Sequence, residues 1–229
     1  MIDFTGTKGL TIPEGKVKKI TRKSDGALIW EAVTSRIPSE YQEVEYIYIP
    51  NTAYINTKWT PTDGSLFNIK YGLVSGGYPF GAGSTPRLAC SHTFSSAQIY
   101  NPDNSSFGIY TFYTPSSKIV DIETYTTSKA NGCYVIQNGE KQAVGTTTRE
   151  TNFDAALPML LGAWQYNATT IRQGEINLYY AKASDNGVPK FDMIPCYRKS
   201  DGVIGMYDVV SKTFFTNAGS GSFTKGADV

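Results

Sequence analysis

Histidine is almost missing from this chain: His92 is the only one in 229 residues. A Ser-His-Asp triad would have to be built on it, and nothing near it resembles a nucleophile elbow. Cysteine is scarce as well. Cys90, Cys133 and Cys196 are odd in number, far apart and without metal spacing, which reads as free, partly buried thiols in a chain that folds in a reducing cytoplasm. Charge of one sign is also lacking, since 21 basic and 20 acidic residues are spread along the chain for a net +1. That balance offers no basic patch for nucleic acid. No apolar run approaches the roughly 18 residues of a spanning helix, so membrane insertion is not expected. The N-terminus shows no basic start followed by an apolar core, so no secretory signal is expected either.

What the chain has in abundance is β-forming residues. Threonine, isoleucine and the 16 tyrosines far outnumber leucine, a β-branched and aromatic bias that favours strands. No segment sustains an apolar helical period, so the expected class is all-β, and the length suits one large sandwich plus an appendage. Leu157 to Trp164 is a short apolar run bounded by Pro and Gly and reads as a strand buried on both faces. Gln173 to Tyr180 alternates, with Ile176, Leu178 and Tyr180 expected on the core side. Asp185-Asn186-Gly187 turns the chain into a strand from Phe191 that Pro195 is expected to stop, and Ser200-Asp201-Gly202 leads into Val203 to Tyr207. That block reads as a β-meander. Upstream, Val44 to Ile49, Asn51 to Asn56, Phe67 to Leu73 and Ile119 to Thr127 read as strands, and Asn138-Gly139 is a strong hairpin signal. Ser75 to Gly83, rich in glycine, reads as a loop or strand rim bearing Tyr78 and Phe80. It has no Gly-Lys-Ser/Thr ending and no following helix pattern, so it is not a phosphate loop.

The first 34 residues stand apart. Lys16 to Arg22 and Ala27 to Trp30 flank an Asp25-Gly26 turn and make a β-hairpin, which alone is marginal in water. Val17, Ile20, Leu28, Ile29 and Trp30 are therefore expected to bury a face, either on the chain's own main domain or on a neighbouring subunit. The expected organisation is residues 1–34 as a hairpin and attachment segment, then residues 35–229 as the main domain.

The succession Pro158 to Ala163 (PMLLGA), Gly174 to Gly187 (GEINLYYAKASDNG), Phe191 to Asp208 (FDMIPCYRKSDGVIGMYD) and Lys212 to Gly226 (KTFFTNAGSGSFTKG) resembles the C-terminal half of a known family. These are the concanavalin A-like, laminin-G-type jelly-roll domains of phage and prophage structural proteins and of gut-bacterial surface proteins. Ile37 to Thr62 resembles their opening strands, and the Thr11-Ile12-Pro13-Glu14-Gly15 start is similar to openings found in phage structural proteins. The resemblance implies a two-sheet antiparallel jelly-roll sandwich with an N-terminal β-hairpin. It further implies a non-enzymatic virion-surface protein, assembled in the bacterial cytoplasm, that binds other virion proteins through its N-terminal segment. Bacterial or mucosal glycan is the expected ligand of a receptor-binding or adhesion role, and a homo-oligomer is expected. The alternative is a purely structural head-fibre, decoration or tail subunit that binds only other virion proteins.

Glu43 with Glu45, and Asp121 with Glu123, share strand faces, but neither pair continues into a third acid, and both read as solvated faces rather than a glycosidase pair. Asp103, Asn104, Asp185 and Asn186 are loop oxygen donors of the kind that hold calcium in some laminin-G-type domains, although Asp-Asn is also ordinary turn chemistry. No cofactor is expected apart from that possible calcium. The glycan-binding candidates are Trp164, Tyr166, Asn167 and Arg172, with Tyr78 and Phe80 as neighbours, because aromatic faces beside amide and guanidinium donors suit sugar rings. The competing reading of the same aromatics is that they fill the sandwich or a subunit contact.

Overall fold

Alternation along the strands decides which side chains the protein hides. In a computed structural model, which describes residues 19–21, 28–31, 35–84, 86–100, 109–113, 117–126, 133–137, 139–144 and 153–229, every regular element is a β-strand. Two units are distinguished, Met1–Arg36 and Ile37–Val229. In the first, Lys19–Thr21 pairs antiparallel with Leu28–Glu31, placing Ile20 opposite Trp30. Val17 and the Asp25-Gly26 turn lie outside the described residues.

The second unit is a two-sheet antiparallel jelly-roll sandwich. The larger sheet has Ser65–Ser75 and Glu175–Asp185 at its centre, with Ile119–Tyr125, Cys133–Gln137 and Glu140–Val144 on one side and Val188–Arg198, Ile204–Asp208 and Thr213–Phe215 on the other. Short strands at Tyr41–Glu43, Ile47–Ile49 and Thr224–Lys225 complete it. The smaller sheet runs Ile109–Tyr113, Ser96–Tyr100, Leu88–His92, Gly77–Ala82, Leu160–Leu161, Ile55–Asn56, with Ala163–Gln165 and Ile171–Gln173 attached. All pairings are antiparallel except the single parallel contact of Gln165 with Ala82.

Alternate residues of the central strands point inward, apart from a bulge in Glu175–Asp185. Phe67, Ile69 and Tyr71 of the larger sheet meet Phe80, Leu88, Cys90, Ile99 and Leu161 of the smaller one in one core. The Phe67 and Phe80 rings touch across the gap at 5.0 Å, and Trp59 closes the end of the core against Phe67 and Phe191. Trp59 also donates its indole N–H to Asp185 at 3.3 Å, and Ser65 donates its hydroxyl to the same carboxylate at 2.6 Å.

Four sequence expectations are corrected. Leu157 to Trp164 is not one strand but two, broken at Gly162, whose φ of 78° is left-handed and whose N–H turns to Pro79. Tyr180 does not join Ile176 and Leu178 in the core, because the register shifts between Leu178 and Tyr180. That bulge sends Ala181 and Ala183 inward and leaves the Tyr180 hydroxyl outside, donating to Asp121 at 2.6 Å. Pro195 does not stop its strand. It sits where Val188–Arg198 exchanges one partner for another, pairing with Glu175–Asp185 up to Met193 and with Tyr41–Glu43 from Cys196, so the missing N–H falls where no ladder bond is demanded. Finally, Gly77–Ala82, expected as a loop or strand rim, is an interior strand of the smaller sheet. The turn at Asn186-Gly187 fares as its composition predicts, with φ of 48° and 81° at the two residues.

A hydrogen-bonded polar pair lies inside the sandwich. His92 is fully buried, and its Nδ1 shares a 2.7 Å hydrogen bond with the Tyr71 hydroxyl, which lies 3.7 Å from the Cys90 sulfur. Burial pushes the imidazole down to about 4 and the Cys90 thiol up to about 12. The folded protein thus resists protonating His92, whereas an unfolded chain takes the proton near the ordinary imidazole value of about 6.5. Stability should be whole above that value and decline as pH falls from there toward about 4, by about 3 kcal/mol in total. Chemical denaturation from pH 7 to 4 would show this slope, and His92→Gln should flatten it; an unchanged slope would mean that carboxylates govern the acid response. A second expectation concerns the division of the chain. A fragment of residues 37–229 should melt cooperatively near the temperature of the full chain, whereas an aggregating fragment would show that the N-terminal strands complete its core.

Candidate functional site

The outer face of the smaller sheet carries a cluster of rings. Phe80 and Ala82 point to the core, so Gly81 between them faces outward, in register with Ala89 and, one strand further, Tyr100. Two adjacent positions with almost no side chain leave a hollow on the sheet. Trp164 fills it. A Cβ on Gly81 would stand 2.5 Å from the indole, so glycine is required here for close approach rather than for a turn. The indole N–H donates to the Gly83 carbonyl at 2.7 Å, and the residue is only 2% exposed.

Around this indole stand three half-buried tyrosines. Tyr100 stacks on it at 5.8 Å and 21°, Tyr166 meets it edge-on at 5.1 Å, and Tyr78 leans against it at 5.2 Å. Tyr78 reaches the outer face, although Phe80 two residues later goes inward, because the pairing with Leu88–His92 is irregular between Gly77 and Phe80. Two guanidiniums cover the rings. Arg87 lies 4.5 Å from the Tyr100 ring centre, and Arg172, paired in register with Trp164, lies 4.4 Å from that of Tyr166. Burial raises the Tyr100 hydroxyl above its usual range.

The sequence candidates therefore separate. Tyr78, Tyr166 and Arg172 come together: Tyr78 on Gly77–Ala82, Arg172 on Ile171–Gln173, and Tyr166 just past Ala163–Gln165. Trp164 comes with them, but as the buried support beneath the tyrosines rather than an open platform. Phe80 is wholly buried on the opposite face of the same strand and is not a ligand residue. Asn167 is at the rim, where its side-chain oxygen accepts from the Thr169 and Thr170 N–H groups at 2.9 and 2.7 Å, closing the turn between Ala163–Gln165 and Ile171–Gln173. Tyr100 and Arg87 were missed, because only the register of three strands places them beside Trp164.

The remaining candidates have structural employment. Asp185 accepts from Trp59 and Ser65 and pairs with Lys190 at 3.4 Å, a donor-rich setting unlike that of a calcium ligand, and Asn186 forms the hairpin turn. Asp103 and Asn104 lie outside the described residues. Asp121 and Glu123 stand over a hollow of about 200 Å³ on the outer face of the larger sheet, where Asp121 accepts from Tyr180. Among the described residues no group of three or more His, Cys, Asp or Glu side chains could hold a metal ion.

No protein-family model matches the chain. No curated protein matches it. Among solved structures it is similar to the mouse laminin alpha1 chain, domains LG4-5, with a TM-score of 0.49 at 10% identity over 89% of this chain and 52% of that one. The chain thus spans about half the length of that structure.

The arrangement predicts unequal responses to truncation. Trp164→Ala empties the hollow over Gly81 and should cost about 3–5 kcal/mol, as a large-to-small change at a buried aromatic does. Tyr166→Ala, at the rim, should cost no more than about 1 kcal/mol. Denaturant melts of the two variants would check this, and equal costs would mean that the cluster is a uniform packed layer.

Proposed function

We propose that the chain is a non-enzymatic protein of a phage virion surface, a receptor-binding or adhesion module that recognises cell-surface or mucosal glycan through the outer face of its smaller sheet. The observation that carries this reading is the group of Tyr78, Tyr100 and Tyr166, half-buried on a fixed Trp164 and flanked by Arg87 and Arg172. Sugars present C–H faces and hydroxyl rims, and rings with polar tips beside guanidinium donors match both. Rigidity favours the match, because side chains already held in place lose little freedom when a ligand arrives.

The phage setting is supported by the resemblance of residues 37–62 and 158–226 to phage structural domains. In this reading residues 1–34, whose strands Lys19–Thr21 and Leu28–Glu31 are paired, attach the chain to other virion proteins, and the chain assembles as a homo-oligomer. A second reading draws on the same face. Trp, Tyr and Arg are also the residues that dominate protein–protein hot spots, so a head-fibre, decoration or tail subunit would use the cluster to hold a neighbour.

A glycan array probed with the full chain separates the two. Binding to a restricted set of glycans, lost in Tyr100→Ala and Tyr166→Ala while the melting temperature barely moves, supports recognition. An array blank for the wild type, with the same variants failing to enter the virion, favours the structural subunit.

A further inference from the structure

We propose that the glycan taken by this face is acidic, and that a carboxylate or sulfate on it is received jointly by Arg87 and Arg172; the proposal rests on the glycan reading above. Both cations are arranged around one indole. Arg87 lies 5.6 Å and Arg172 5.2 Å from the Trp164 ring centre, so both cations stand beside the one ring around which a sugar would lie. Arg172 also lies 5.8 Å from the Tyr78 ring.

The guanidiniums are held by rings, not by acids. The ion pairs Lys182–Asp192, Lys190–Asp185, Arg198–Asp201 and Lys225–Asp228 lie elsewhere among the described residues and involve neither Arg87 nor Arg172. Their hydrogen bonds there are long and few: Arg87 donates to the Ser84 carbonyl and Arg172 to the Tyr78 hydroxyl, each at 3.4 Å. A cation over a ring is attracted by the ring's negative face yet spends few N–H donors on it. Most donors of both groups thus remain for a ligand.

Two like charges set around one ring without an acidic partner repel one another. Both act on the same hydroxyl, lowering the Tyr100 pKa against the rise that burial imposes. A planar oxyanion relieves this tension and matches guanidinium forks in geometry. Neutral sugars supply the stacking face but leave the charge uncompensated. The chemistry of the face therefore selects a uronic acid or a sulfated sugar over its uncharged counterpart.

The test uses the full chain on an array that prints uronic-acid oligosaccharides beside their methyl esters, and sulfated oligosaccharides beside their desulfated forms. The acidic member of a pair should be preferred, and Arg87→Gln and Arg172→Gln should each weaken it about tenfold or more, as loss of a charge-assisted contact implies. Arg172→Lys should restore only part of the affinity, because an ammonium lacks the planar fork. Which pairs show the preference tells carboxylate from sulfate. Equal binding of both members would overturn the acidic assignment and leave the glycan reading standing. An array with no binding at all would overturn both. An acid preference that survives in the Arg87→Gln, Arg172→Gln double variant would place the attraction elsewhere and overturn the site, with the melting temperature confirming that the variant is folded.

Discussion

The contact between Phe67 and Phe80 sets the terms for the rest of the molecule. It ties the centre of the larger sheet to the centre of the smaller one, and it fixes which way Gly77–Ala82 faces. With Phe80 and Ala82 committed to the core, Gly81 must look outward, and the hollow that seats Trp164 follows. A slip of one residue along this strand would exchange the two faces. Phe80 would then be exposed and Gly81 would leave a void inside. Core and outer cluster are thus two consequences of one register, although no side chain belongs to both.

Each sheet carries apolar residues on its outside as well, and the two sheets cover them differently. On the larger sheet Ile194, Cys196 and Tyr207 form a second cluster with Ile37, covered by Tyr41 and Phe214, whose rings stand 4.9 Å apart. There Ile37 and Tyr41, at the start of the second unit, act with Phe214 as the lid. On the smaller sheet Trp164 is sealed by the tips of tyrosines and by guanidiniums, groups with a wet end and a dry end. A lid of backbone has to unfold to admit anything. Side chains with polar tips already meet water, and a ligand only replaces that water. This difference, rather than the number of aromatics, is why the smaller sheet carries the functional argument.

The sequence made the class legible because alternation and turn chemistry act locally. The Asn186-Gly187 turn and the inward positions of Ile176 and Leu178 needed no knowledge of distant chain. It failed where a bulge or a partner exchange intervened. Tyr180 has the right parity for the core until the register shifts before it, and Pro195 is tolerated only because its strand changes neighbours there. The glycines near Tyr78 were misread for a related reason. Glycine marks flexibility in isolation, whereas here it marks the place where an indole from a strand some eighty residues later in the chain rests on the backbone, as the Trp164 bond to the Gly83 carbonyl shows. The local part of the site, Trp164 to Arg172, is one hairpin and was readable. Arg87 and Tyr100 join it through the order of strands in the sheet, which no local pattern encodes.

The overall charge of +1 constrains how such a face operates. A balanced chain projects little field, so long-range steering contributes little to encounter. Beyond about 8 Å at physiological salt the two cations are screened in any case. In the proposed reading, what they add is felt only once a ligand lies on the tyrosines, where the rings exclude water on one side and weaken the screening. Stacking therefore comes first and charge discriminates second. Under the glycan proposal that order would discriminate against other polyanions: a bare phosphate or nucleic acid has the charge but not the C–H face. Arg87 and Arg172 hold their positions because the rings hold them, so affinity for a face and selectivity for a charge are properties of the same contacts and cannot be varied independently.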